Sequence, residues 1–229
     1  MRMPTQGRFS TYRVVMRPSR SVLASLSQIP GVTVYVKGIS LAGNASTTLT
    51  YIELPEELKA YEELMGILKT SPSVIDYQIV DKRRYSVSLA ITKNMCDFYK
   101  YTLSSHRFTF FPYTLRGGKR EFYLVSAEKT KEIVSNLLRH GEILFFEKVP
   151  LATAMKSSSM LGLKIVLDEH LTHSQRMILK EAYRLGYYDW PRKISLGELA
   201  EKFGISKATL SEHLRRGEQK LFTLFLESL

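Results

Sequence analysis

The sequence predicts an α+β protein in which a tandem of βαββαβ units precedes an all-α helix-turn-helix domain. Between Thr11 and Val149, β-branched alternating runs and amphipathic runs follow one another in the same order twice. The last quarter of the chain shows only helical periodicity, with capping residues at regular offsets. With 229 residues, 44% of them hydrophobic, the chain is long and apolar enough to bury a core in each part.

Residues 11–82 are predicted to form the first βαββαβ unit, after a flexible tail at residues 1–10. Gly43 and Asn44 provide a hairpin turn between two alternating runs, and Pro55 is suited to the first turn of the amphipathic helix that follows. The predicted elements are strand 11–16, helix 19–28, strand 32–41, strand 46–54, helix 55–69 and strand 74–80.

Residues 83–150 repeat this order and are predicted to form the second unit, offset by roughly 73 positions. Gly117 and Gly118 mark its hairpin turn, and Gly141 ends its second helix. The predicted elements are strand 85–91, helix 94–103, strand 106–115, strand 120–126, helix 128–139 and strand 142–149.

The repeated order resembles ferredoxin-like and ACT-like regulatory domains. This resemblance implies a small-molecule effector in a groove near the first strand-to-helix loop of each unit, which places residues 17–21 and 92–96 at such grooves. Arg17 or Arg20 would then hold an effector carboxylate. The alternative is that these loops are ordinary solvated surface.

Residues 151–170 are predicted to connect the tandem to the C-terminal domain. Residues 150–159 are small and polar enough for a linker, whereas residues 160–167 are apolar enough for a strand or a packed connector.

Residues 171–229 contain three helices, each with its own start signal. Thr172 and Gln175 have the spacing of a capping box before the first helix, residues 175–185. Ser195 is suited to cap the second helix, which extends to about residue 203. Gly204 then tolerates the backbone of a helix stop, and Ser206 caps the third helix.

The third helix, residues 206–216, is expected to enter the major groove of double-stranded DNA, which is wide enough to admit a helix. Arg215 suits guanine, and Glu212 suits the cytosine amino group. The predicted base-reading residues are Lys207, Ala208, Thr209, Ser211, Glu212 and Arg215, and the predicted phosphate contacts are Ser206, His213, Arg216 and Lys220. The alternative is a helical protein-interaction domain whose charged face is solvated.

The C-terminal domain also resembles a known family. The residues that carry this resemblance are Leu171-Thr172, Gln175, Leu179, Ala182, Gly186-Tyr187-Tyr188-Asp189, Pro191-Arg192, Leu196, Glu198-Leu199-Ala200, Gly204-Ile205-Ser206 and Thr209 to Arg216. They resemble the helix-turn-helix of archaeal bacterio-opsin-activator type regulators, and the second half also resembles LuxR-type regulators and region four of sigma factors. The resemblance implies transcriptional regulation.

Composition and motifs narrow the classes of protein to which the chain could belong. A net charge of +11 favours a polyanionic partner, and the single cysteine, Cys96, excludes an internal disulfide. No apolar run reaches membrane-spanning length and no leader is evident, so a cytoplasmic protein without membrane association is expected. No nucleotide-binding, metalloprotease or hydrolase motif occurs, which disfavours an enzyme and any cofactor. Asp168, Glu169, His170 and His173 suit a solvated helix entry better than a metal site.

The end of the chain predicts self-association. Residues 217–229 carry more apolar side chains than one helix face buries, so a homodimer reading two half-sites is expected, although this segment is also suited to packing on the protein itself. The principal alternative is an adaptor whose sigma-like helices contact basal transcription factors without reading DNA sequence. A weaker alternative is an enzyme with a regulatory domain and a DNA-binding tail.

Overall fold

The computed structural model describes residues 9–56, 58–104 and 106–227, with the side chain of Leu58 left out. The chain divides into two compact units, Met1–Gly162 and Leu163–Leu229. The tail predicted at residues 1–10 lies outside the described residues up to position 8, and the first strand already begins at Ser10.

Within its described residues, the first unit has nine strands and four helices, followed by the start of a longer helix. Its strands are β1 Ser10–Pro18, β2 Thr33–Ala42, β3 Ala45–Glu53, β4 Val74–Arg83, β5 Ser86–Asn94, β6 Arg107–Thr109, β7 Tyr113–Arg116, β8 Lys119–Ser126 and β9 Gly141–Val149. Its helices are α1 Val22–Leu26, α2 Leu58–Thr70, α3 Asp97–Thr102 and α4 Thr130–Leu138. The element order predicted from the sequence is therefore present, with β6 as an addition.

All nine strands belong to one antiparallel sheet, with the order β4-β5-β3-β2-β7-β8-β1-β9 and with β6 paired to β8. The predicted α+β class, with a β-rich part followed by a separate helical part, is confirmed. Two successive, self-contained units are not what forms, however. β5, from the second repeat, lies between β3 and β4 of the first. β1, from the first repeat, lies between β8 and β9 of the second.

This pairing corrects the boundary expected between residues 82 and 83. Each half of the sheet, β4-β5-β3-β2 and β9-β1-β8-β7, has equivalent strands in equivalent order, but the repeats have exchanged their first strands. Alternation along β1 leaves its own β3 and the β8 of the other repeat equally suitable as partners, because both present the same apolar face. Strand alternation alone therefore cannot fix which repeat receives β1.

The helices α1 to α4 cover one face of the sheet and close the main core. Alternate residues of the central strands point into it, as the period of two along a strand requires. Fully or almost fully buried examples from five strands are Val14 and Met16, Val34 and Val36, Ile52, Leu89 and Ile91, and Phe122 and Leu124.

Two further expectations are corrected by the structure. Residues 106–115 were expected to be one strand, but they form β6 and β7 with Pro112 between them, because proline cannot donate a ladder hydrogen bond. Residues 150–159 were expected to be a linker and residues 160–167 a strand or a packed connector, but neither a linker nor a strand forms, because Leu151–His170 is a single connecting helix, α5. Ala154 and Ser158, four residues apart, are buried, so the small residues serve packing instead of chain flexibility.

Candidate nucleic-acid interface

The second unit continues α5 and contains the three predicted helices, α6 His173–Arg184, α7 Leu196–Phe203 and α8 Lys207–Leu226. Their starts follow the predicted caps. The Thr172 hydroxyl accepts from the Gln175 amide and the Gln175 side chain accepts from the Thr172 amide, which completes a capping box. Each helix start is therefore fixed by residues within four positions of it.

The turn between α7 and α8 consists of Gly204, Ile205 and Ser206. Ser195 and Glu198 form the capping box of α7, and Gly204 ends the helix with φ 63°. The Ile205 amide then donates to the Ala200 carbonyl at 3.1 Å, and the Ser206 hydroxyl accepts from the Thr209 amide at 3.0 Å. A left-handed residue followed by this bond turns the chain sharply without leaving unpaired backbone groups.

A compact apolar core fixes the angle between the three helices. α6, α7 and α8 each contribute two residues to it, namely Ile178 and Ala182, Leu199 and Ala200, and Leu210 and Leu214. Gly217 lies where α8 crosses α6, and a Cβ atom at this position would be 2.7 Å from Leu179 Cδ1. The approach of α8 to α6 therefore depends on the absence of a side chain at Gly217.

With Leu210 and Leu214 inward, the first turns of α8 leave a polar face in solvent. Ala208, Glu212, Arg215 and Gln219 repeat at the spacing of one helix face. The predicted contacts that are exposed are Ser206, Lys207, Ala208, Thr209, Ser211, Arg215 and Arg216, while Glu212, His213 and Lys220 are half-buried. The structure thus brings most of the predicted base-reading residues onto one accessible surface.

The charges on this face are paired with each other. The Arg215 guanidinium donates to both Glu212 carboxylate oxygens at 3.0 Å, and Arg216 Nε also donates to Glu212. Hydrogen bonds from Arg215 and then Arg216 lower the pKa of Glu212 to about 2. Glu212 is therefore ionised at neutral pH, and one of its contributions is to orient the two arginines.

Other predicted contacts have defined partners as well. The Ser206 hydroxyl is occupied by the helix cap and lies 2.8 Å from the Thr209 hydroxyl. Lys220 Nζ donates to the His170 carbonyl at 2.9 Å and to Gln175 Oε1 at 3.2 Å, so it bridges the end of α5 and the start of α6. The phosphate contact expected for Lys220 stays a prediction, and these two hydrogen bonds give its ammonium a structural role as well.

The loop between α6 and α7 contains the aromatic residues Tyr187, Tyr188 and Trp190, which were expected to pack against the third helix, with stacking on nucleic acid as the alternative. Tyr188 does donate to Glu218 on α8. Trp190, by contrast, is 97% exposed. The guanidinium of Arg192 lies 4.5 Å from the centre of the Tyr187 ring. An exposed tryptophan offers an apolar ring face to a partner, and this loop therefore presents Trp190 as a candidate stacking surface.

An apolar groove lies between α5, α6 and α8 in the second unit, with a volume of about 960 Å³. Phe222 and Phe225 on its α8 wall are 67% and 62% exposed. At the apolar end of α8 that the sequence predicted, Phe222, Phe225 and Leu226 are each more than half exposed.

The predicted effector contacts separate in the structure. Arg20 lines a cavity of about 750 Å³ in the first unit, together with residues 93–98 of the second predicted loop. Arg17 does not belong to that lining, and its Nη1 donates to Glu142 at 2.6 Å. The effector contact expected for Arg17 stays a prediction, and β9, which pairs with β1, brings Glu142 opposite this side chain.

The acidic and histidine residues before α6 have structural contacts. Asp168 is buried and pairs with Lys164 at 2.8 Å and with Arg176. His170 Nδ1 lies 2.8 Å from the Val166 carbonyl. Within the described residues, no group of three potential ligands is close enough to hold a metal ion.

Comparison with known proteins identifies the C-terminal domain. Residues 171–223 match the family described as an HTH DNA binding domain. The chain is 28% identical over 107 residues to the transcriptional regulator NarO of Haloferax volcanii, which covers 46% of this chain and 49% of the relative. It is 38% identical over 66 residues to the bacterioopsin transcriptional activator of Halobacterium salinarum, which covers 29% and 10%.

The dimethyl sulfoxide reductase transcriptional activator of Haloferax volcanii is 45% identical over 58 residues, which covers 25% of this chain and 27% of the relative. The helix-turn-helix is therefore of the bacterio-opsin-activator type found in transcriptional regulators of halophilic archaea, as the sequence resemblance indicated. The chain spans about half or less of the length of these curated relatives. The match to NarO is too long to be confined to the helix-turn-helix.

No solved structure matches this chain. Among the described residues, none of the helices combines the length and the apolar character that crossing a membrane requires.

Proposed function

We propose that this chain is a sequence-specific DNA-binding transcriptional regulator that inserts the first turns of α8 into the major groove. The observation that carries the proposal is the exposed face of α8, which follows directly on the turn at Gly204 and presents Lys207, Arg215 and Arg216. A helix held in this way by two supporting helices presents its first turns to base edges.

Within this proposal, base reading belongs to the outer face of α8. Arg215 offers two donors in a fork that suits the two acceptors of guanine, and Ala208 and Thr209 suit a thymine methyl group. Glu212 accepts from cytosine or holds Arg215 in position. His213 and Arg216 are assigned to phosphates, where charge matters more than pattern.

The experiment that tests this function is selection of bound duplexes from a random pool by the full-length protein. An enriched motif, above all an inverted repeat, is the expected result. Uniform, salt-sensitive binding without enrichment would contradict sequence-specific recognition and favour the adaptor that contacts basal transcription factors.

We also propose that the first unit senses a small-molecule effector. The equivalent order of the two sheet halves supports a pair of ferredoxin-like units that have exchanged their first strands. In this arrangement the segments that follow β1 and β5 line one shared cavity, which contains Arg20. Cavities of this size commonly hold metabolites.

The exposed groove of the second unit supports a homodimer. Phe222, Phe225 and Leu226 are exposed on α8, and an apolar surface of this kind marks interaction sites. A second copy of the chain is the partner proposed, because two paired helix-turn-helix domains read half-sites about one helical turn apart.

A further inference from the structure

The cavity in the first unit lies where the chain leaves the two exchanged strands. Residues 18–22, after β1, form one wall, and residues 93–98, at the end of β5, form another. Ser73 before β4, Arg120 from the start of β8, and Arg139 and His140 before β9 add further polar groups to the lining. Five separate segments therefore converge on one space of about 750 Å³.

Arg120 is the central residue of this lining. Its side chain is only 3% exposed, and its guanidinium lies 4.0 Å from the centre of the Phe98 ring. Nη2 donates to the Ser21 hydroxyl at a long 3.3 Å, whereas Nε is buried and has no hydrogen-bond partner among the described residues. A buried donor without a partner is costly, which makes this atom a position where an acceptor is expected.

Lys93 contributes a second buried cation to the same cavity. It is 5% exposed, and its Nζ donates to the Tyr99 hydroxyl at 3.3 Å. Ser46, its partner across the β3–β5 ladder, has a buried hydroxyl oxygen that also lacks a hydrogen-bond partner among the described residues. The two unsatisfied side-chain atoms of the described chain thus belong to Arg120 itself and to the residue opposite Lys93.

The charges around these two side chains are unbalanced. In the part of the chain that the structure describes, no carboxylate forms an ion pair with Arg120 or Lys93. The one acidic residue of the lining, Asp97, is exposed, and its Oδ1 lies 3.4 Å from Lys100 Nζ. Burial, with the charge of Arg120 as a further cause, lowers the pKa of Lys93. Buried cations are ordinarily paired with anions, so an anion is the missing partner.

We propose that this cavity binds a small organic oxyanion, whose carboxylate or phosphate group is held between Arg120 and Lys93. Arg20 and Arg139 add positive charge at the exposed rim, while Val22, Met95 and Phe98 offer an apolar wall to the carbon skeleton. The inference rests on the effector-sensing part of the proposed function. It specifies the class of the ligand and assigns its binding to Arg120 and Lys93. Arg17 has no part in it.

The test uses the full-length protein without DNA and two probes, inorganic phosphate and succinate. Calorimetric titration and thermal unfolding are measured for the wild type, Arg120→Met and Lys93→Met, with Arg116→Met as the control, because Arg116 is an exposed arginine on the neighbouring strand β7. We expect at least one probe to bind the wild type and the control equally. We expect each of the other two variants to bind it at least tenfold more weakly.

Folding of the variants is checked by their unfolding temperature in buffer without either probe. Methionine removes an unbalanced buried charge at similar volume, so this temperature should not fall in Lys93→Met. If Arg120→Met fails to fold, Lys93→Met together with Arg120→Lys, which keeps the charge and loses the fork, decides the question.

The two probes distinguish the source of the anion. Tighter binding of phosphate indicates a phosphorylated ligand, and tighter binding of succinate indicates a carboxylated ligand. Equal binding by all four proteins would overturn the proposal, as would no binding of either probe at millimolar concentration. Because this titration contains no DNA and the duplex selection needs no anion, failure of the ligand site and failure of DNA recognition are separate results.

Discussion

Arg215 and Glu212 are joined by two parallel hydrogen bonds of 3.0 Å along α8, so the residue best suited to read guanine is already held by a neighbouring carboxylate. The pair is exposed to solvent, and such pairs contribute little to stability. Arg215 can therefore replace its hydrogen bonds to Glu212 with hydrogen bonds to guanine at little cost in free energy. Before DNA is bound, the pairing restricts the orientation of the Arg215 side chain.

Arg215→Ala is expected to weaken binding at the selected site by about 1–3 kcal/mol and to relax the preference at one base pair. The reason is the loss of a two-donor contact that only one base satisfies. Binding titrations on the selected duplex and on its single-base variants measure both effects. Arg184→Ala, which removes an exposed arginine paired with Glu181 on α6, is the control and should leave the preference unchanged. An equal loss at every sequence would make Arg215 a phosphate contact.

Gly217→Ala is expected to destabilise the second unit by about 1–3 kcal/mol, because the added methyl group overpacks the crossing of α8 and α6 against Leu179. The gain in helix propensity, about 1 kcal/mol, offsets only part of this. Denaturant unfolding of the full-length protein measures the change.

The matched control is Gly197→Ala on α7, where the new methyl group meets only the flexible end of Lys207. We expect this variant to stay within about 0.5 kcal/mol of the wild type, since Lys207 can move away. A Gly217→Ala protein as stable as the control would show that the helices separate without cost.

Phe222→Ser combined with Phe225→Ser is expected to convert the dimer into a monomer, because it removes the two most prominent apolar side chains on the α8 wall of the groove. Light scattering after size-exclusion chromatography measures the mass. The variant should also bind an inverted repeat no more tightly than a single half-site. Phe108→Ser, at an equally exposed phenylalanine of the first unit, should leave the mass unchanged. A wild type that is monomeric at all concentrations would refute the dimer.

Lys93→Met is expected to flatten the dependence of stability on pH between about pH 7 and 9.5 in buffer without anions. Burial lowers the pKa of Lys93 in the folded protein, whereas the unfolded chain has the ordinary value of 10.5. Between these two values the unfolded state binds more protons, so the wild type gains stability as pH rises, by at most about 1.4 kcal/mol per pH unit.

Three titrating neighbours of Lys93 keep their charge state in the folded protein across the chosen window, and Cys96, whose charge also acts on Lys93, is present in both the wild type and the variant. Burial raises the pKa values of Tyr99 and Tyr113 above 10 and lowers that of His140 below 6.5, so these groups stay neutral between pH 7 and 9.5. Unfolding free energies of the wild type and the variant are compared at fixed ionic strength. Parallel curves would show that Lys93 titrates normally in the folded protein.

The helix-turn-helix was predictable almost to the residue, because its signals are local. A capping box joins Thr172 to Gln175, and another joins Ser195 to Glu198, across three positions each. Gly204 needs no distant contact to adopt its backbone. The strands were found for the same reason, since alternation is read within one strand.

Local signals were misleading or incomplete where packing decided the outcome. Small and polar residues at 150–159 suggested a linker, but Ala154 and Ser158 face inward on α5. Lys220 was assigned to DNA from its helix position, and its ammonium also donates to the carbonyl of His170. In the first case the packing surface against α5 decided the outcome. In the second case the partner was a backbone carbonyl fifty positions away. Neither partner is visible in the local sequence.

The sequence by itself determined most of the strands and helices, where the helices of the second unit begin, and which face of α8 is polar. Only the tertiary structure decided that β1 and β5 exchange places and that Arg120 and Lys93 line the same cavity. The physical reason is that caps and periodicity act within a few residues, whereas strand pairing joins positions more than a hundred residues apart through apolar faces that are alike.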